Sequence, residues 1–575
     1  MIVAQATALA LSLFIGTANC HAQTNHDDFV WAGSASGLWQ NAANWSSNGV
    51  TGVAWPGENG PATDNAWFTN AGTFNVSLNA LIQFGSNMFA NASNTTATVT
   101  INAGSYEFDS AIPDNNVAID IGEIQGATSI VYFVTTGAGE ITTGAGAVVI
   151  GKNGYGMLVL TNTQVVLLGQ TAISLGGAPT ATGVLIVSGT NTYVNNSGNG
   201  HLNVGENGGN GGCTVIISNS ASLSTENLRL GGDSDGSTSN NTMIVTGPGS
   251  VFALSGGNGV VGKRSSPSGP PSYNNTLIFE NGGSGFASLG PKNHDFSVGW
   301  ADNDVDSNPG TTGNVLIVNS GCAFTNISVL YVDSNNFAYV YGGVLGGGYT
   351  GTASGTISNI GAVAGWGTLV GTVLNYDTNA SLTASNSVGG LSITHDFWMS
   401  NSTLNVTIGT TYNPITVASN VAFIGNGGTV NIAAGTGFGN GTYTLISYGS
   451  SLNPTDNAPS TLTVGTTPNP SGTYTINTNT LGLVQLIISG IAPALPFKIT
   501  SVVRTNSGND MFIAWNTTGL TNTVQVGTGT VPGGSYTTNS FVNLTNIVVT
   551  TTTTNFTDVG GATNKPARYY RIQSP

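Results

Sequence analysis

The sequence predicts an all-β chain that is built as a parallel β-solenoid, and three observations lead there. Short apolar runs alternate with turns of glycine, asparagine and serine, as in HLNVGENGGNGGCTVIISNSASLSTENLRLGG at residues 201–232. Similar sequence patterns recur before and after that stretch. Charged residues make up only 6% of the chain and glycine accounts for 83 of 575 positions, while helix-forming stretches are missing. The regular apolar alternation favours a folded core over disorder.

The repeats are clearest over residues 146–343. A run that ends in glycine, such as AISLG or HLNVG, is followed by a second run, such as GVLIVSG or CTVIISN. The anchor glycines lie 25 to 37 residues apart, and a degenerate last copy ends at Asp333. A strand pattern that recurs in sequence, separated by loops of variable length, indicates stacked repeats. The anchor glycines are Gly151, Gly176, Gly205, Gly231, Gly262 and Gly299.

Stacking explains the composition of these units. No unit can bury its own apolar side chains, but coiling the chain so that each unit lies on the last creates a continuous apolar column. Glycine suits the sharp corner and the close approach of the next coil. Stacked equivalent positions would bring like charges together, which Asn, Ser and Thr avoid.

The rest of the chain divides around these repeats. Residues 1–22 are predicted to be a signal peptide, and residues 23–145 an N-terminal cap with the first β-solenoid rungs. Residues 344–491 are predicted to continue the solenoid to a C-terminal cap. After the APALPF boundary, the tight alternation of residues 492–575 predicts a small β-sandwich module. That module contains half of the ten basic residues, which suggests that it holds a surface partner.

The N-terminal segment decides the expected location. Ala4 to Ala18 is apolar but too short for a comfortable membrane span, and cleavage is expected after Ala22. No transmembrane segment is expected in the mature chain, so we expect a secreted or outer-surface protein. Acylation of Cys20 in a lipoprotein is the alternative. Cys213 and Cys322 are interpreted as two separate buried residues, with a disulfide between them as the alternative.

The charge balance narrows the possible partners. Lys and Arg number 10 against 25 Asp and Glu, which gives a formal net charge of −15. The negative electrostatic field of such a chain repels phosphate backbones, so we expect no nucleic-acid partner. Extracellular polysaccharide and cell-surface proteins remain compatible partners.

The aromatic candidates lie near the N-terminus. Trp31, Trp39 and Trp45 are close together in sequence and, if exposed, could stack on sugar rings. The alternative is that they close the apolar end of the solenoid, because an open end exposes core and unpaired strand edges.

The acidic candidates lie in the loop ADNDVDSNPG. Asp302, Asp304 and Asp306 alternate in a way that could bind calcium through carboxylate oxygens, although the loop lacks the EF-hand pattern. No other cofactor is expected. A polysaccharide lyase or a glycosidase would need a basic residue or paired acids in register, and the repeats contain few basic residues. The sequence therefore favours a non-enzymatic protein.

Three phrases carry a family resemblance. The opening LWQNAANW…DNAWF, the rungs of the type TVIISNSASL, and the late phrase STLNVTIG…GTYTLISYG resemble the autotransporter-associated β-strand repeat proteins, which are passenger-like β-helical proteins of bacterial surfaces. The resemblance implies an extracellular structural or adhesive role rather than a particular reaction. No segment predicts the membrane β-barrel that ends a true autotransporter, so self-secretion is not expected. A polysaccharide-binding or polysaccharide-cleaving β-helix is the alternative function.

Overall fold

The structure is a computed structural model that describes residues 28–573 with several gaps. The predicted signal peptide and Cys20 lie outside the described residues. Within them the chain is all-β, and the helical elements are two short 3₁₀ turns, Ala42–Asn44 and Asn506–Gly508. The gaps are residues 34, 59–63, 80–81, 85, 90–94, 103–104, 109–116, 136–139, 144–145, 168–171, 207–210, 234–235, 264–270, 288–294, 300–310, 348–354, 386–387, 453–461, 492–497, 518–520, 530–540, 549–552 and 564–566.

Contacts divide the chain into two units. The first ends at Pro470 and also includes Tyr474–Ile487, while the second comprises Ser471–Thr473 and Ile488–Pro575. Each unit has its own strand pairing, and each is described by itself.

The first unit is built from three ladders of parallel strands, here called A, B and C. Along the chain, a strand of ladder C is followed by one of ladder A and then one of ladder B, and each strand pairs in parallel with its equivalent one rung away. This is the connectivity of a three-stranded coil, so the predicted parallel β-solenoid is confirmed as a long parallel sheet in an all-β chain.

Ladder A runs from the N-terminal region to residue 464. Its strands are Ser36–Leu38, Gly72–Leu78, Thr95–Ile101, Thr128–Thr135, Tyr155–Thr161, Thr182–Ser188, Thr214–Ser218, Thr242–Thr246, Thr276–Glu280, Val315–Asn319, the first parts of Phe337–Gly346 and Ala362–Val370, Ser381–Ala384, the second parts of Phe397–Ile408 and Val421–Ala434, and Leu462–Val464.

Ladder B lies one corner further along the chain. Its strands are Ile82–Phe84, Ser105–Phe108, Glu140–Thr143, Gln164–Leu167, the first parts of Tyr193–Val204 and Ser222–Leu230, Val251–Leu254, Ser284–Ala287, Ala323–Thr325, the second parts of Phe337–Gly346 and Ala362–Val370, Leu391–Ile393, Ile415–Val417 and Gly441–Tyr448.

Ladder C closes each coil. Its strands are Asp28–Trp31, Asn65–Phe68, Ser86–Phe89, Val117–Ile121, Ala147–Ile150, Ala172–Leu175, the second parts of Tyr193–Val204 and Ser222–Leu230, Gly259–Val261, Phe296–Val298, Val329–Val332, Thr356–Asn359, Thr372–Tyr376, and the first parts of Phe397–Ile408 and Val421–Ala434.

Shorter pairings accompany the ladders. Trp45–Ser47 pairs antiparallel with Asp28–Trp31 and with Val50–Thr51. Gly232–Asp233 and Gly236–Ser237 form a small hairpin. Leu483–Ser489 adds to Gly441–Tyr448, with Thr473–Asn477 as its neighbour. No helix among the described residues has the length and apolar character to cross a bilayer.

The core of the first unit is a set of side-chain columns. Alternate residues of each strand point inward and stack on their equivalents, as Leu158, Leu185 and Val215 do on ladder A, where each is at most 3% exposed. Burial of one aliphatic side chain contributes about 1.5–3 kcal/mol. Because every rung adds such residues to each column, the core grows with the number of rungs and not with the size of any unit.

The anchor glycines form the corner after ladder C, as the sequence predicts. All six have positive φ, from 71° at Gly151 to 109° at Gly231, a region that side chains with a Cβ rarely adopt. The corner also lacks space. A Cβ atom at Gly262 would lie 2.3 Å from Nδ2 of Asn314, one rung away. Glycine is therefore required both by the turn and by the next coil.

A column of buried asparagines fills the same corner. The Nδ2 group of Asn241 donates to Oδ1 of Asn275 at 2.8 Å, Asn275 donates likewise to Asn314 at 2.9 Å, and Asn314 donates to Asn336 at 2.9 Å. Each of these acceptor oxygens also accepts the backbone N–H of the asparagine one rung before. All four side chains are fully buried, so the ladder satisfies amides that would otherwise be costly.

Earlier rungs place smaller residues at this position. Ala127, Ala181 and Cys213 immediately precede the ladder A strands of their rungs and are buried, as the asparagines are. Cys213 and Cys322 are both free and buried, which confirms their interpretation as separate residues. Each sulfur accepts a backbone N–H from a neighbouring rung, from Gly183 and Gly282 respectively, at 3.3 Å.

The second unit contains two antiparallel sheets of three strands. One is formed by Ile499–Thr505, Asp510–Asn516 and Thr553–Asp558, and the other by Val542–Val548, Thr521–Gly529 and Ala567–Gln573. Ile513, Trp515, Val524 and Ile572 form a common core. The Nε1 group of Trp515 donates to Oδ1 of Asn522 at 2.8 Å, so the buried indole has its hydrogen bond.

The corner glycines give a first test. Gly262→Ala adds a Cβ both at positive φ and against Asn314, so we expect the free energy of unfolding to fall by about 3 kcal/mol or more. Gly212→Ala is the matched control, because Gly212 has a φ of 82° and no heavy atom within 4 Å of the added carbon. It should lose only about 1–2 kcal/mol. Guanidinium unfolding followed by far-UV circular dichroism measures both, and equal losses would contradict the role of the next coil.

The asparagine column gives a second test. Asn275→Ala leaves Nδ2 and the backbone N–H of Asn241 without their acceptor, so we expect a loss of about 2–4 kcal/mol. Thr276→Ala, at the adjacent position that begins the strand, changes an outward half-buried side chain and should change stability by about 0.5 kcal/mol at most. Denaturant midpoints of the two variants check this, and an Asn275→Ala protein as stable as the Thr276→Ala protein would disprove the amide ladder as a source of stability.

Candidate functional site

The three tryptophans proposed for sugar stacking are buried. Trp31 is 1% exposed, and Trp39 and Trp45 are fully covered. Their rings contact each other, with centroids of Trp45 and Trp39 4.7 Å apart, and Trp45 donates from Nε1 to the carbonyl oxygen of Trp39 at 2.8 Å. Phe68 stacks against Trp31. The stacking hypothesis is wrong for these residues, because their faces are used in packing and no sugar ring can reach them.

The proposed calcium ligands Asp302, Asp304 and Asp306 lie outside the described residues. In the part of the chain that the structure does describe, no three His, Cys, Asp or Glu side chains are grouped to hold a metal ion. The calcium site stays a prediction.

Two ionic contacts of the described solenoid meet at the corner after Val117–Ile121. The Nζ group of Lys152 lies 2.9 Å from Oδ2 of Asp120 and 2.8 Å from Oε2 of Glu123. The Asp120 side chain is only 4% exposed, and the Lys152 side chain is 31% exposed. Lys152, on the next rung, also donates its backbone N–H to the carbonyl oxygen of Ile121, so the lysine is held against the rung that carries both acids.

The electrostatics of this cluster follow from its burial. Burial raises the pKa of Asp120 to about 7, although the positive charge of Lys152 opposes the rise. Burial alone would lower the pKa of Lys152, but the two carboxylates hold it above its usual value. Oδ1 of Asp120 is buried without a hydrogen-bond partner. An acid so covered cannot meet a polymer substrate, so the arrangement is suited to joining two rungs and not to proton transfer.

The sequence contained a signal for this cluster that was not recognised. Glu123 directly follows Gly122, and Lys152 directly follows Gly151, so the two occupy the same position after successive corner glycines. Alignment of the corners would have placed them one above the other. Equivalent positions of stacked rungs are neighbours in space, and opposite charges there attract.

A polar patch lies on the outward side of ladder C further along the chain. Tyr331 pairs with Ser358 on the next strand, and the hydroxyl of Ser358 lies 3.0 Å from that of Tyr376. Burial raises the pKa of Tyr331, and the negative charge of Asp295 raises it further. Hydroxyl groups beside a carboxylate are the kind of groups that can hydrogen-bond to sugars.

Histidine directly precedes aspartate twice in the sequence, at His294–Asp295 and at His395–Asp396, and the structure describes the second pair in full. His294 lies outside the described residues. His395 contacts the Thr394 hydroxyl through Nδ1 at 3.3 Å, while Asp396 accepts from the backbone and side-chain amides of Asn420 at 2.9 and 3.0 Å. His395 and Asp396 thus make separate contacts.

The interior between the first repeats contains an enclosed space lined only by apolar side chains, among them Ile119, Phe133 and Leu158. Such a lining has no group for catalysis or for orienting a polar ligand. The described side chains of the first unit therefore offer outward surfaces, rather than this space, for any polar partner.

Two basic residues of the second unit are engaged within it. Arg568 lies 2.8 Å from Oδ2 of Asp558, which also accepts the hydroxyl of Tyr570 at 2.8 Å. Arg571 donates to Oε1 of Gln525 and lies 4.5 Å from the centre of the Phe541 ring. Part of the positive charge of this region is therefore used in contacts within the unit.

Comparison with protein-family models found no family that matches this chain. Comparison with curated proteins also found no match.

The buried acids predict a pH dependence. Burial raises the pKa of Asp333 to about 6, so the folded chain keeps this proton to a higher pH than the unfolded chain does. Because the folded state binds more protons between about pH 4 and 6, the free energy of unfolding falls as pH rises through that window. Asp120 acts in the same direction up to about pH 7.

Asp333→Asn removes one ionisation and keeps an oxygen that can accept the backbone N–H of Ser334, as Oδ1 of Asp333 does at 2.8 Å. We expect the variant to match the wild type at pH 4 and to be more stable by up to about 3 kcal/mol at pH 7.5. Ser334→Ala is the control and should keep the wild-type pH slope. Urea unfolding at both pH values checks this, and identical slopes in all three proteins would refute it.

Proposed function

We propose that the chain is a secreted, non-enzymatic β-solenoid that serves outside the cell as a structural or adhesive element. One observation carries the proposal. Parallel pairing continues from Asp28–Trp31 to Leu462–Val464. A scaffold of stacked rungs gives length and stability without a cleft.

The finer organisation belongs to the same proposal. The tryptophan-rich region at residues 28–68 acts as an N-terminal cap, which is supported by the mutual packing of Trp31, Trp39 and Trp45. The strands after residue 488 form a β-sandwich module that attaches the solenoid to a surface partner. The shared core of its two sheets supports this. The kinship with autotransporter-associated repeat proteins is part of the proposal and rests on the sequence phrases.

A second candidate is binding or cleavage of extracellular polysaccharide. The observation that favours it is the patch of Tyr331, Ser358 and Tyr376 near Asp295, since tyrosines and a carboxylate on an outward strand face could receive a sugar chain. The carboxylate whose charge acts on Tyr331 is that of Asp295, and a glycosidase ordinarily uses two facing carboxylic groups.

The test combines location with activity. Expressed in a Gram-negative host, the full chain should be recovered outside the cytoplasm with its N-terminus at Gln23, because the apolar segment before Ala22 directs export. Leu11→Arg interrupts that segment and should reduce export at least about tenfold. Mass spectrometry of the N-terminus and fractionation measure both.

The purified protein is then incubated with a panel of neutral and acidic polysaccharides. We expect no new reducing or unsaturated ends. Release of such ends that Asp295→Asn or Tyr331→Phe abolishes would overturn the non-enzymatic proposal. Binding without cleavage, lost in Tyr331→Phe and kept in Trp31→Phe, would support adhesion to that polymer.

A further inference from the structure

An apolar column lies on the outside of the solenoid, on ladder A. The middle outward position of six successive strands is always valine or isoleucine, and the six pair with one another in register. Each is partly exposed. The six residues are Val159, Ile186, Ile216, Ile244, Ile278 and Ile317.

Aromatic residues continue the column at both ends. Tyr132 pairs with Val159, and Tyr339 pairs with Ile317. We call the outward side of ladder A between these two tyrosines the isoleucine face. Phe337 and Tyr341 stack on either side of Tyr339, with ring centroids 5.9 and 5.7 Å away, so the face ends in an aromatic row.

The requirements of a β-strand do not explain why valine and isoleucine occupy this outward column. Threonine has a comparable β-propensity and is compatible with water. The neighbouring outward column does use it, at Thr214, Thr242 and Thr276. The corresponding outward position on ladder C is polar at Arg229, which is partly exposed. The neighbouring column thus mixes threonine with apolar residues, whereas the column of six contains only valine and isoleucine, which indicates that this column is covered when the protein is at work.

The face is also nearly without charge. In the six strands that contribute the valine and isoleucines, the charged outward residue among those described is Glu280, at the end of its strand. The whole chain has a formal net charge of −15. An acidic protein can approach a second copy of itself most easily where charge is missing, because elsewhere like charges repel.

The size of the face fits a pair of copies. Eight rungs at about 4.8 Å and strands of about five residues give an area roughly 34 Å long and 17 Å wide. Two such faces bury about 1,100–1,200 Å² together, which is just above the roughly 1,000 Å² that a specific interface needs. Its outward side chains repeat in register from rung to rung, so two copies related by a two-fold axis present the same pattern to each other.

We propose that the isoleucine face binds the isoleucine face of a second copy of this chain. The association joins solenoids side by side, which gives a structural element its lateral contacts. This inference rests on the proposed structural function and deepens it.

Sedimentation velocity and light scattering on the purified full-length chain test the proposal. We expect a reversible dimer that forms at micromolar concentration. Salt should strengthen it, because screening reduces the repulsion between two acidic chains. Ile216→Thr/Ile244→Thr/Ile278→Thr should raise the dissociation constant at least about tenfold.

The matched control is Val251→Thr/Ala323→Thr/Val344→Thr, which makes three substitutions in one outward column of ladder B. It should dimerise like the wild type. Far-UV circular dichroism and melting temperature verify that each variant folds, and if the triple variant does not, the single Ile244→Thr replaces it with a smaller expected loss.

Three outcomes would overturn the proposal. The wild-type chain could stay monomeric at concentrations up to about 100 micromolar. The ladder A variant could dimerise like the wild type, or the ladder B control could weaken dimerisation as much as the ladder A variant does. Adsorption of a monomeric chain to a polysaccharide through the isoleucine face would also contradict the proposal, because the polymer and not a second copy would then be the occupant. None of these outcomes affects the export and activity assays, so failure here is distinguishable from failure of the proposed function.

Discussion

The structure depends on parallel pairing between successive rungs, which places each residue about 4.8 Å from its own equivalent. Stability is therefore a property of columns. An apolar column such as Leu158, Leu185 and Val215 strengthens with each rung, whereas a column of one charge would weaken with each rung. An amide has both a donor and an acceptor, so asparagine can repeat in a buried column without leaving either unsatisfied. A carboxylate cannot, which explains why the solenoid uses Asn at this corner.

The same constraint separates the corners from the loops. Gly262 and Gly299 are 37 residues apart in sequence, yet their strands pair directly, with Val260 opposite Ser297. The strand pairing and the corner geometry are preserved on both sides of this longer repeat. Positive φ at the glycine and the amide of the next rung fit each other, so neither can change alone. Variable repeat length is thus compatible with a corner glycine of positive φ in every one of these repeats.

The sequence was sufficient for features that are local and repeated. Anchor glycines and alternating strands predict the rungs because turn and strand preferences act within a few residues. The asparagine column was not predicted, since Asn is so frequent in these turns that Asn275 and Asn314 do not stand out from their neighbours. Burial of Trp39 could not be derived either, because a cluster of tryptophans has the same composition whether it plugs a core or faces solvent. The contact of Lys152 with Glu123 could have been predicted only by aligning the corner glycines of successive rungs.

A raised pKa in this fold has a different meaning from a raised pKa in an active site. Asp120 and Asp333 hold their protons because the neighbouring rungs remove water from them, and for Asp120 this happens even beside a lysine. A catalytic acid needs the same shift together with access for the reacting bond. Here the burial that produces the shift also closes the access. The described acids with the most perturbed pKa values are consequently elements of rung stacking.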